Sequence, residues 1–348
     1  MPVQPLAKTA ILTLLIVSIS VISWELYLRN KGVLKAYDDG PALWADKRAK
    51  VYESAENVTV FIGSSRIKYD LDIGTWQTIT GEKAIQLAEE GSSPMLVLED
   101  LANDEKFKGK LIIDITEPLF FSPFAPRDAE TIKNINFYKD RTPAQRAGFE
   151  LNGFLESKLV FLDKDFLSLN ALLDELQVPS RKGVFAFPLF PMDFDRPSAD
   201  RQSRMSDKFL ADTTLQNKVK AIWSFLGERG RSMPPLPDAA ITATLNRAKA
   251  STDKIKARGG QVLFVRTPAS GPMGMGEKMG FPREKFWNRL LSVTECPGIH
   301  FTDYPAIAHF VCPEWSHLSS RDAVVFTTHF IDILEKEKGW KFSKKAGN

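Results

Sequence analysis

The sequence predicts an α/β fold built around a parallel β-sheet. Short, continuous apolar runs are separated by longer stretches with helical patterning. A run without polar alternation is typical of a strand that is covered on both faces, as in a parallel sheet. The predicted strands lie at residues 58–62, 84–88, 111–115, 261–265 and 299–302.

Three helices are predicted between or after these strands. The first covers 92–104, where Ser92 or Ser93 could serve as the N-terminal cap. The others cover 237–258 and 320–338, and the last has a rough apolar stripe at helical spacing.

Residues 119–236 interrupt this alternation, and we interpret them as an insertion between the third and fourth strands. Helical patterns around 142–175 and 207–228 flank a Pro- and Phe-rich piece at 184–192. An insertion at this edge of an α/β sheet can form a lid or a substrate wall. It could instead form a helical pad that completes the core, and the sequence leaves both interpretations open.

The N-terminal segment predicts a transmembrane signal anchor at 9–28. Its apolar residues run without a charge from Lys8 to Glu25, close to the roughly 20 residues that a membrane helix needs. Trp24 and Tyr27 occupy positions where interfacial aromatic residues occur. A cleaved signal peptide and a buried core helix are the alternatives, and the lack of a polar stripe argues against the core helix.

The remaining chain divides into a short tail, a polar and partly helical linker, and one large domain. These are predicted at 1–8, 29–56 and 57–340, respectively. Basic residues are more numerous after the apolar segment than before it, which favours a cytoplasmic domain by the positive-inside rule. The residues concerned are Lys8 on one side and Arg29, Lys31 and Lys35 on the other.

Composition excludes several functional classes. The net charge of +3 is small and the basic residues are scattered, so no nucleic-acid partner is predicted. No zinc-site spacing or Walker loop is present, and neither a metal nor a cofactor is expected. The only cysteines, Cys296 and Cys312, could form a disulfide or remain free thiols.

A small-residue turn, Gly63-Ser64-Ser65-Arg66, directly follows the first predicted strand. A strand-to-helix turn can present a serine hydroxyl at the carboxyl edge of a sheet, beside the N–H groups of a helix N-terminus. Such a serine needs an adjacent base to act as a nucleophile. The same turn could instead be structural or bind phosphate.

Among the four histidines, His317 is the candidate base, with Glu314 three residues earlier to orient it. The alternative is that this segment only caps a helix beginning at Arg321, through Ser319 or Ser320, and that His317 is merely exposed.

Taken together, these motifs resemble the SGNH (GDSL-like) hydrolase superfamily, and most closely its membrane-anchored bacterial branch with GSS in place of GDS. The resemblance covers roughly 57–125 and 258–335 and includes Gly91 after the second strand. It implies a flavodoxin-like three-layer α/β/α fold, with Ser65 as nucleophile and His317 as base. It also implies that the backbone N–H groups of Ser65 and Gly91 form an oxyanion hole.

The chain departs from this pattern at two places. Glu314 replaces the usual aspartate, and the usual asparagine after the third strand is missing from segment 114–118, where neither Thr116 nor Glu117 is an obvious substitute. One oxyanion donor is worth about 3 kcal/mol, or a hundredfold or more in rate. Arg66 and Arg266 could bind an anionic substrate group or help the oxyanion, or could be surface charges or ion pairs.

The resemblance implies an extracytoplasmic, membrane-tethered esterase or O-acyltransferase that acts on acyl esters, such as those of cell-surface polysaccharides. A second hypothesis is a non-catalytic carbohydrate-binding or assembly component beside a membrane acyltransferase. The two departures favour this second hypothesis.

Overall fold

The computed structural model describes residues 6–52, 58–122, 125, 127–174, 188–231 and 234–343. The chain divides into two compact units. Unit 1 comprises Met1–Asp38 and Arg146–Phe187, and unit 2 comprises Asp39–Gln145 and Pro188–Asn348. The predicted insertion is therefore shared between them.

The sheet lies in unit 2, and all of its strands are parallel, in the order β2-β1-β3-β4-β5. Its strands are β1 (Val58–Ile62), β2 (Lys83–Gln86), β3 (Lys110–Asp114), β4 (Gln261–Arg266) and β5 (Gly298–His300). The prediction of an α/β fold with a parallel sheet is confirmed, and each strand end lies within two residues of its predicted position.

The helices of the described chain are α1 (Leu6–Asn30), α2 (Pro41–Ala49), α3 (Ser65–Asp70), α4 (Ile73–Thr80), α5 (Met95–Asn103), α6 (Glu117–Phe120), α7 (Asp128–Asp140), α8 (Pro143–Glu156), α9 (Lys164–Leu167), α10 (Leu169–Asp174), α11 (Asp207–Ala211), α12 (Thr213–Arg231), α13 (Asp238–Ala257), α14 (Gly271–Gly280), α15 (Trp287–Thr294), α16 (Pro305–Ala308) and α17 (Ser320–Glu337). The three predicted helices correspond to α5, α13 and α17. The first begins later than predicted because Pro94 occupies its cap position.

Apolar cores cover both faces of the sheet, which explains why the strands read as continuous apolar runs. Along β1, Val60 and Ile62 join one core, whereas Phe61 joins the other. Helices α5 and α13 contribute to the first core, and α3, α4 and α17 contribute to the second.

The two cysteines belong to these opposite cores and are free thiols. Cys296 is buried in the first core and Cys312 in the second. The disulfide alternative is therefore not realised.

The predicted, partly helical linker at 29–56 contains helix α2, and this helix packs into unit 2. The Trp44 side chain is 0% exposed, and its indole N–H donates to the Leu87 carbonyl over 3.2 Å. Arg48 pairs with Asp100 and Asp104 over 2.8 Å each. One buried aromatic residue and one buried arginine thus hold this helix in unit 2. Residues 53–57 lie outside the described part of the chain.

In unit 1, α1 is long and apolar enough to cross a membrane, with a mean hydropathy of 2.1 over its most apolar 18 residues. None of that stretch is buried within the structure, so the buried-core alternative is wrong. The first helical pattern of the insertion appears as α8, α9 and α10, and the second as α11 and α12 in unit 2. Residues 184–187 of the Pro- and Phe-rich piece lie outside the described residues.

Gly63 allows the turn after β1 to pass close to β3. A Cβ atom at this position would lie 2.7 Å from Asp114 Cβ and 2.9 Å from Ile67 Cγ2. We therefore expect Gly63→Ala to lower the free energy of unfolding by about 1–3 kcal/mol, through overpacking.

The matched control is Gly276→Ala within α14, where nothing lies within 4 Å of the added carbon. This variant should be neutral or stabilised by up to about 1 kcal/mol, because alanine is the better helix former. Urea unfolding of the detergent-solubilised chain, followed by tryptophan fluorescence, measures both. Equal stability of the two variants would contradict the tight approach at Gly63.

Candidate active site

The two serines after β1 have different environments. Ser64 is the N-cap of α3, and its buried hydroxyl bonds to the Thr116 hydroxyl over 2.8 Å. Ser65 is the first residue of α3 and is only half-buried. Of the pair, Ser65 is the one whose hydroxyl is accessible to a reactant.

Ser65, His317 and Glu314 form a continuous hydrogen-bonded chain. His317 Nε2 lies 2.8 Å from Ser65 Oγ, and His317 Nδ1 lies 2.9 Å from Glu314 Oε1. Because an ionised carboxylate can only accept, we assign the Nδ1 proton to this bond, which leaves Nε2 to accept the serine proton. This is the arrangement of a nucleophile, a general base and an orienting acid.

The extra methylene of Glu314 does not prevent the pairing, because the loop folds back on itself. The backbone N–H groups of Ser316 and His317 also donate to Glu314 Oε1, over 3.3 and 2.6 Å. Trp315 between them adopts a left-handed backbone with φ 83°. A short turn thus places the carboxylate beneath the imidazole that follows it.

The helix-cap alternative for this segment is half right. Ser319 caps α17, where its hydroxyl accepts from the Asp322 N–H over 3.1 Å. His317, however, is only 1% exposed. The Leu318 N–H donates to Asp70 Oδ1 over 2.8 Å, which ties the histidine loop to the C-terminal end of α3.

An aromatic wall surrounds the imidazole of His317. The ring centroids of Tyr69, Phe194 and Trp223 lie 4.4, 5.7 and 6.0 Å from that of His317. Phe194 and Trp223 come from the insertion, whose lid-or-wall interpretation gains support here. The Trp223 indole N–H also donates to Glu314 Oε2.

Sequence reasoning missed Trp223. It lies in the amphipathic helix α12, where the simplest interpretation of an aromatic residue is that it packs in the hydrophobic core. Only its place in the folded chain, beside a residue 91 positions later, shows the contact with Glu314.

Arg66 and Arg266 are buried members of one ion-pair network. Both guanidinium groups contact the Glu277 carboxylate, and Arg266 also bonds to Glu117 over 2.8 and 3.0 Å. Burial opposes the charge on Arg66, but Glu277 outweighs it and holds the pKa of Arg66 above its usual value. The same arginines hold the pKa of Glu277 below its usual value, against its burial. These contacts favour the ion-pair interpretation over a free anion site.

The predicted oxyanion donors lie at the ends of adjacent strands. Ser65 supplies the first N–H of α3 after β1, and Gly91 stands in the turn after β2 with φ 63°. The Gly91 carbonyl accepts from the Arg127 N–H over 3.2 Å. Neither Gly91 N–H nor Ser65 N–H donates to another residue in the described part of the chain.

No side chain after β3 takes the place of the missing asparagine among the described residues. The Thr116 hydroxyl is engaged with Ser64, and the Glu117 carboxylate is engaged with Arg266. Of the other nearby acids, Asp303 pairs with Arg283, and Asp322 lies in the first turn of α17.

Two further buried carboxyl groups lie close to the site. Burial raises the pKa of Asp114 to about 6, although Arg266 and Arg66 oppose the rise. Burial also raises the pKa of Asp70 well above its usual value, and Asp70 Oδ2 has no hydrogen-bond partner among the described residues.

No family model matches the chain, and no curated protein matches it. No group of three or more His, Cys, Asp or Glu side chains that could hold a metal ion is found in the residues that the structure covers.

Replacing Trp223 with phenylalanine tests the indole contact with Glu314. We expect Trp223→Phe to slow the reaction of Ser65 with a fluorophosphonate about tenfold, which corresponds to the loss of one charge-assisted hydrogen bond of about 1.5 kcal/mol. Trp223→Leu, which also removes the aromatic ring beside His317, separates the loss of the hydrogen bond from the loss of ring packing. An unchanged rate in Trp223→Phe would show that the indole does not position Glu314.

The pKa of Asp114 predicts a pH dependence of stability. A folded-state pKa of about 6, above the usual 3.8, means that the contribution of Asp114 to stability is present below about pH 4 and is lost as the pH rises through 6. Between about pH 4 and pH 7, the wild-type chain should lose on the order of 3 kcal/mol relative to Asp114→Asn.

Urea unfolding of both chains at intervals across this pH range measures the difference. The asparagine variant provides the internal reference, because every other titrating group is common to both chains. Parallel stability curves would contradict a raised pKa at Asp114.

Proposed function

We propose that the protein is a membrane-tethered serine esterase or O-acyltransferase of the SGNH-like type, with a flavodoxin-like three-layer α/β/α fold. The observation that carries this proposal is the chain from Ser65 Oγ through His317 to Glu314, with links of 2.8 and 2.9 Å. Such a chain supplies the proton acceptor that a serine nucleophile requires.

The fold supports the proposal independently. The strand order β2-β1-β3-β4-β5 is the flavodoxin-like order, in which ligands bind beyond the carboxyl ends of the strands where the order reverses. Ser65 directly follows β1, one of the two strands between which the order reverses.

In the proposed reaction, Ser65 Oγ attacks the ester carbonyl carbon and its proton passes to His317 Nε2. Collapse of the tetrahedral intermediate breaks the bond to the alcohol oxygen, which takes the proton from His317 and leaves an acyl-Ser65. Water or an acceptor hydroxyl then attacks this acyl group and gives its proton to His317. Collapse of the second tetrahedral intermediate breaks the bond to Ser65 Oγ, which takes the proton back from His317 and releases the acid or the new ester. Glu314 holds the imidazole and stabilises its cationic form.

The Ser65 and Gly91 N–H groups are the proposed oxyanion donors. A third donor of the usual type is missing, because Thr116 and Glu117 are otherwise engaged. Since one donor is worth about 2.7–4 kcal/mol, we expect a rate about a hundredfold or more below that of a three-donor site.

The substrate class and location follow from the resemblance and are part of the proposal. We place the site outside the cytoplasm, tethered by α1, with acyl esters of cell-surface carbohydrate as substrates. No metal or diffusible cofactor enters the reaction, and a membrane acyltransferase is a candidate partner. The paired guanidinium groups of Arg66 and Arg266 are not assigned to substrate.

The missing third donor favours one other function, a carbohydrate-binding or assembly component that keeps the fold without turnover. A phosphate-binding turn is less well supported. His317 lies at hydrogen-bond distance from Ser65, and the guanidinium of the adjacent Arg66 is bonded to Glu277.

Labelling with a serine-reactive fluorophosphonate tests the proposed nucleophile. The wild-type chain should be labelled, Ser65→Ala should not, and His317→Ala should react at least about 10³-fold more slowly because the serine loses its base. Intact-mass measurement of the full chain in detergent detects the adduct.

Ser64→Ala is the matched control, since it removes a neighbouring hydroxyl that faces Thr116 instead of His317. This variant should keep its labelling. Labelling that persists in Ser65→Ala would refute the assignment, and a wild-type chain that is never labelled would favour the non-catalytic component.

A further inference from the structure

Helix α8 of unit 1 exposes three large apolar side chains near its C-terminal end, where its last carboxylate is buried. Leu151, Phe154 and Leu155 are 62%, 61% and 37% exposed, whereas Glu156 is buried at 5%. The spacing i, i+3, i+4 places the three apolar side chains on one face of the helix. In water, a helix of a folded protein buries such a face and exposes its carboxylates.

The segment that directly follows α8 is hydrogen-bonded to the C-terminal end of α1 within unit 1. The Glu25 carboxylate accepts from the Val160 and Phe161 N–H groups over 2.9 and 3.0 Å. Closer to α8, the Arg29 guanidinium donates to the Lys158 carbonyl. Lys35 Nζ donates to the Ser157 carbonyl over 3.0 Å. The segment that follows α8 therefore lies against the last two turns of α1.

This end of α1 carries the features of a membrane–water boundary. Trp24 and Tyr27 stack with their ring centroids 5.5 Å apart, and Lys31 Nζ lies 5.6 Å from the centre of the Tyr27 ring. Aromatic residues and lysines occupy this level in membrane helices, with the apolar stretch on one side and water on the other.

We propose that α8 lies in the lipid interface of the bilayer that holds α1, with Leu151, Phe154 and Leu155 in contact with acyl chains. The occupant of the apolar face is thus the lipid itself. Lipid explains both the exposure of three large apolar side chains and their attachment to the end of a membrane-length helix. Helix α10 of the same unit exposes Leu169 and Leu173 at 71% and 51%, which is consistent with a second contact of this kind.

This inference goes beyond the proposed function and depends only on the insertion of α1 into a membrane. It predicts that unit 1 is anchored by a spanning helix together with an in-plane contact. The activity of Ser65 does not enter it.

Depth-dependent quenching tests the contact. An environment-sensitive fluorophore is attached to Phe154→Cys or Leu151→Cys in the full chain, which is reconstituted in phosphatidylcholine vesicles with or without a lipid that carries a nitroxide just below its headgroup. The native Cys296 and Cys312 are buried, so the unmodified wild-type chain gives the background labelling.

Arg146→Cys is the matched control on the same helix. Arg146 is exposed and lies about 140° around the helix axis from Leu151. Ile16→Cys in α1 reports whether the anchor itself is inserted. Circular dichroism and thermal unfolding of each labelled variant confirm that the fold is kept.

We expect the nitroxide lipid to quench the probes at 151 and 154 several-fold more strongly than the probe at 146. Equal, weak quenching at 146, 151 and 154 together with a blue-shifted, membrane-embedded probe at 16 would overturn the proposal while leaving the anchor in place. A solvent-exposed probe at 16 would show that α1 is not inserted in the membrane, and this result would also overturn the proposal. A blue shift at 154 that grows with the protein-to-lipid ratio, without lipid quenching, would assign the face to a second copy of the chain and would also overturn it.

Discussion

The candidate site depends on one buried carboxylate. Glu314 is 0% exposed, and an ionised carboxylate out of water is costly unless hydrogen-bond donors surround it. Its donors are the N–H groups of Ser316 and His317, the His317 ring and the Trp223 indole. The first three come from its own loop, and the last comes from the insertion. The hydrogen bonds that Glu314 accepts therefore fix three things together: the conformation of the turn, the orientation of the His317 imidazole and the position of Trp223 beside it.

The helix that carries Ser65 is held by polar contacts of a similar kind. Arg66, Lys68 and Asp70 of α3 are all buried, and each reaches a different part of unit 2. Arg66 pairs with Glu277 in α14, Lys68 with Asp39 and Glu90, and Asp70 accepts from the Leu318 N–H.

Removing one partner of a buried pair leaves an uncompensated charge, at a cost of about 3–5 kcal/mol. These charges therefore help to fix the orientation of this six-residue helix, together with the packing of its buried apolar residues. The serine at its first position gains a defined direction toward His317.

A feature of this structure could be predicted from the sequence where a pattern within one short segment determines it. The strands could be located because burial on both faces gives each run a continuous apolar pattern, and Ser65 could be placed because β1 ends in small residues. The pairing of Ser65 with His317 followed from a resemblance and from the acid that stands three residues before this histidine.

Contacts made by single side chains across long chain separations had no local signal. Trp223 in an amphipathic helix, Glu277 in a glycine-rich segment and Trp44 in a polar stretch all look ordinary in the sequence. In the structure, Trp223 hydrogen-bonds to Glu314, Glu277 pairs with two buried arginines, and Trp44 packs in the first core. Their roles are set by the partner they meet in the fold, which no periodicity encodes.

For the acyl transfer that we propose, the site meets one of two chemical requirements better than the other. Activation of the nucleophile needs a base at hydrogen-bond distance and an oriented imidazole, and Ser65, His317 and Glu314 meet both needs. Stabilisation of the oxyanion needs donors aimed at the developing charge. Among the described residues, backbone N–H groups are the donors that we propose for this task, since Thr116 bonds to Ser64.

Because oxyanion stabilisation is usually the larger of the two contributions, any turnover at this site would be limited by electrostatics and not by the reactivity of the serine. An acceptor or partner that brings a hydrogen-bond donor to the carboxyl edge of β3 would then raise the rate more than any improvement to the Ser65–His317 pair.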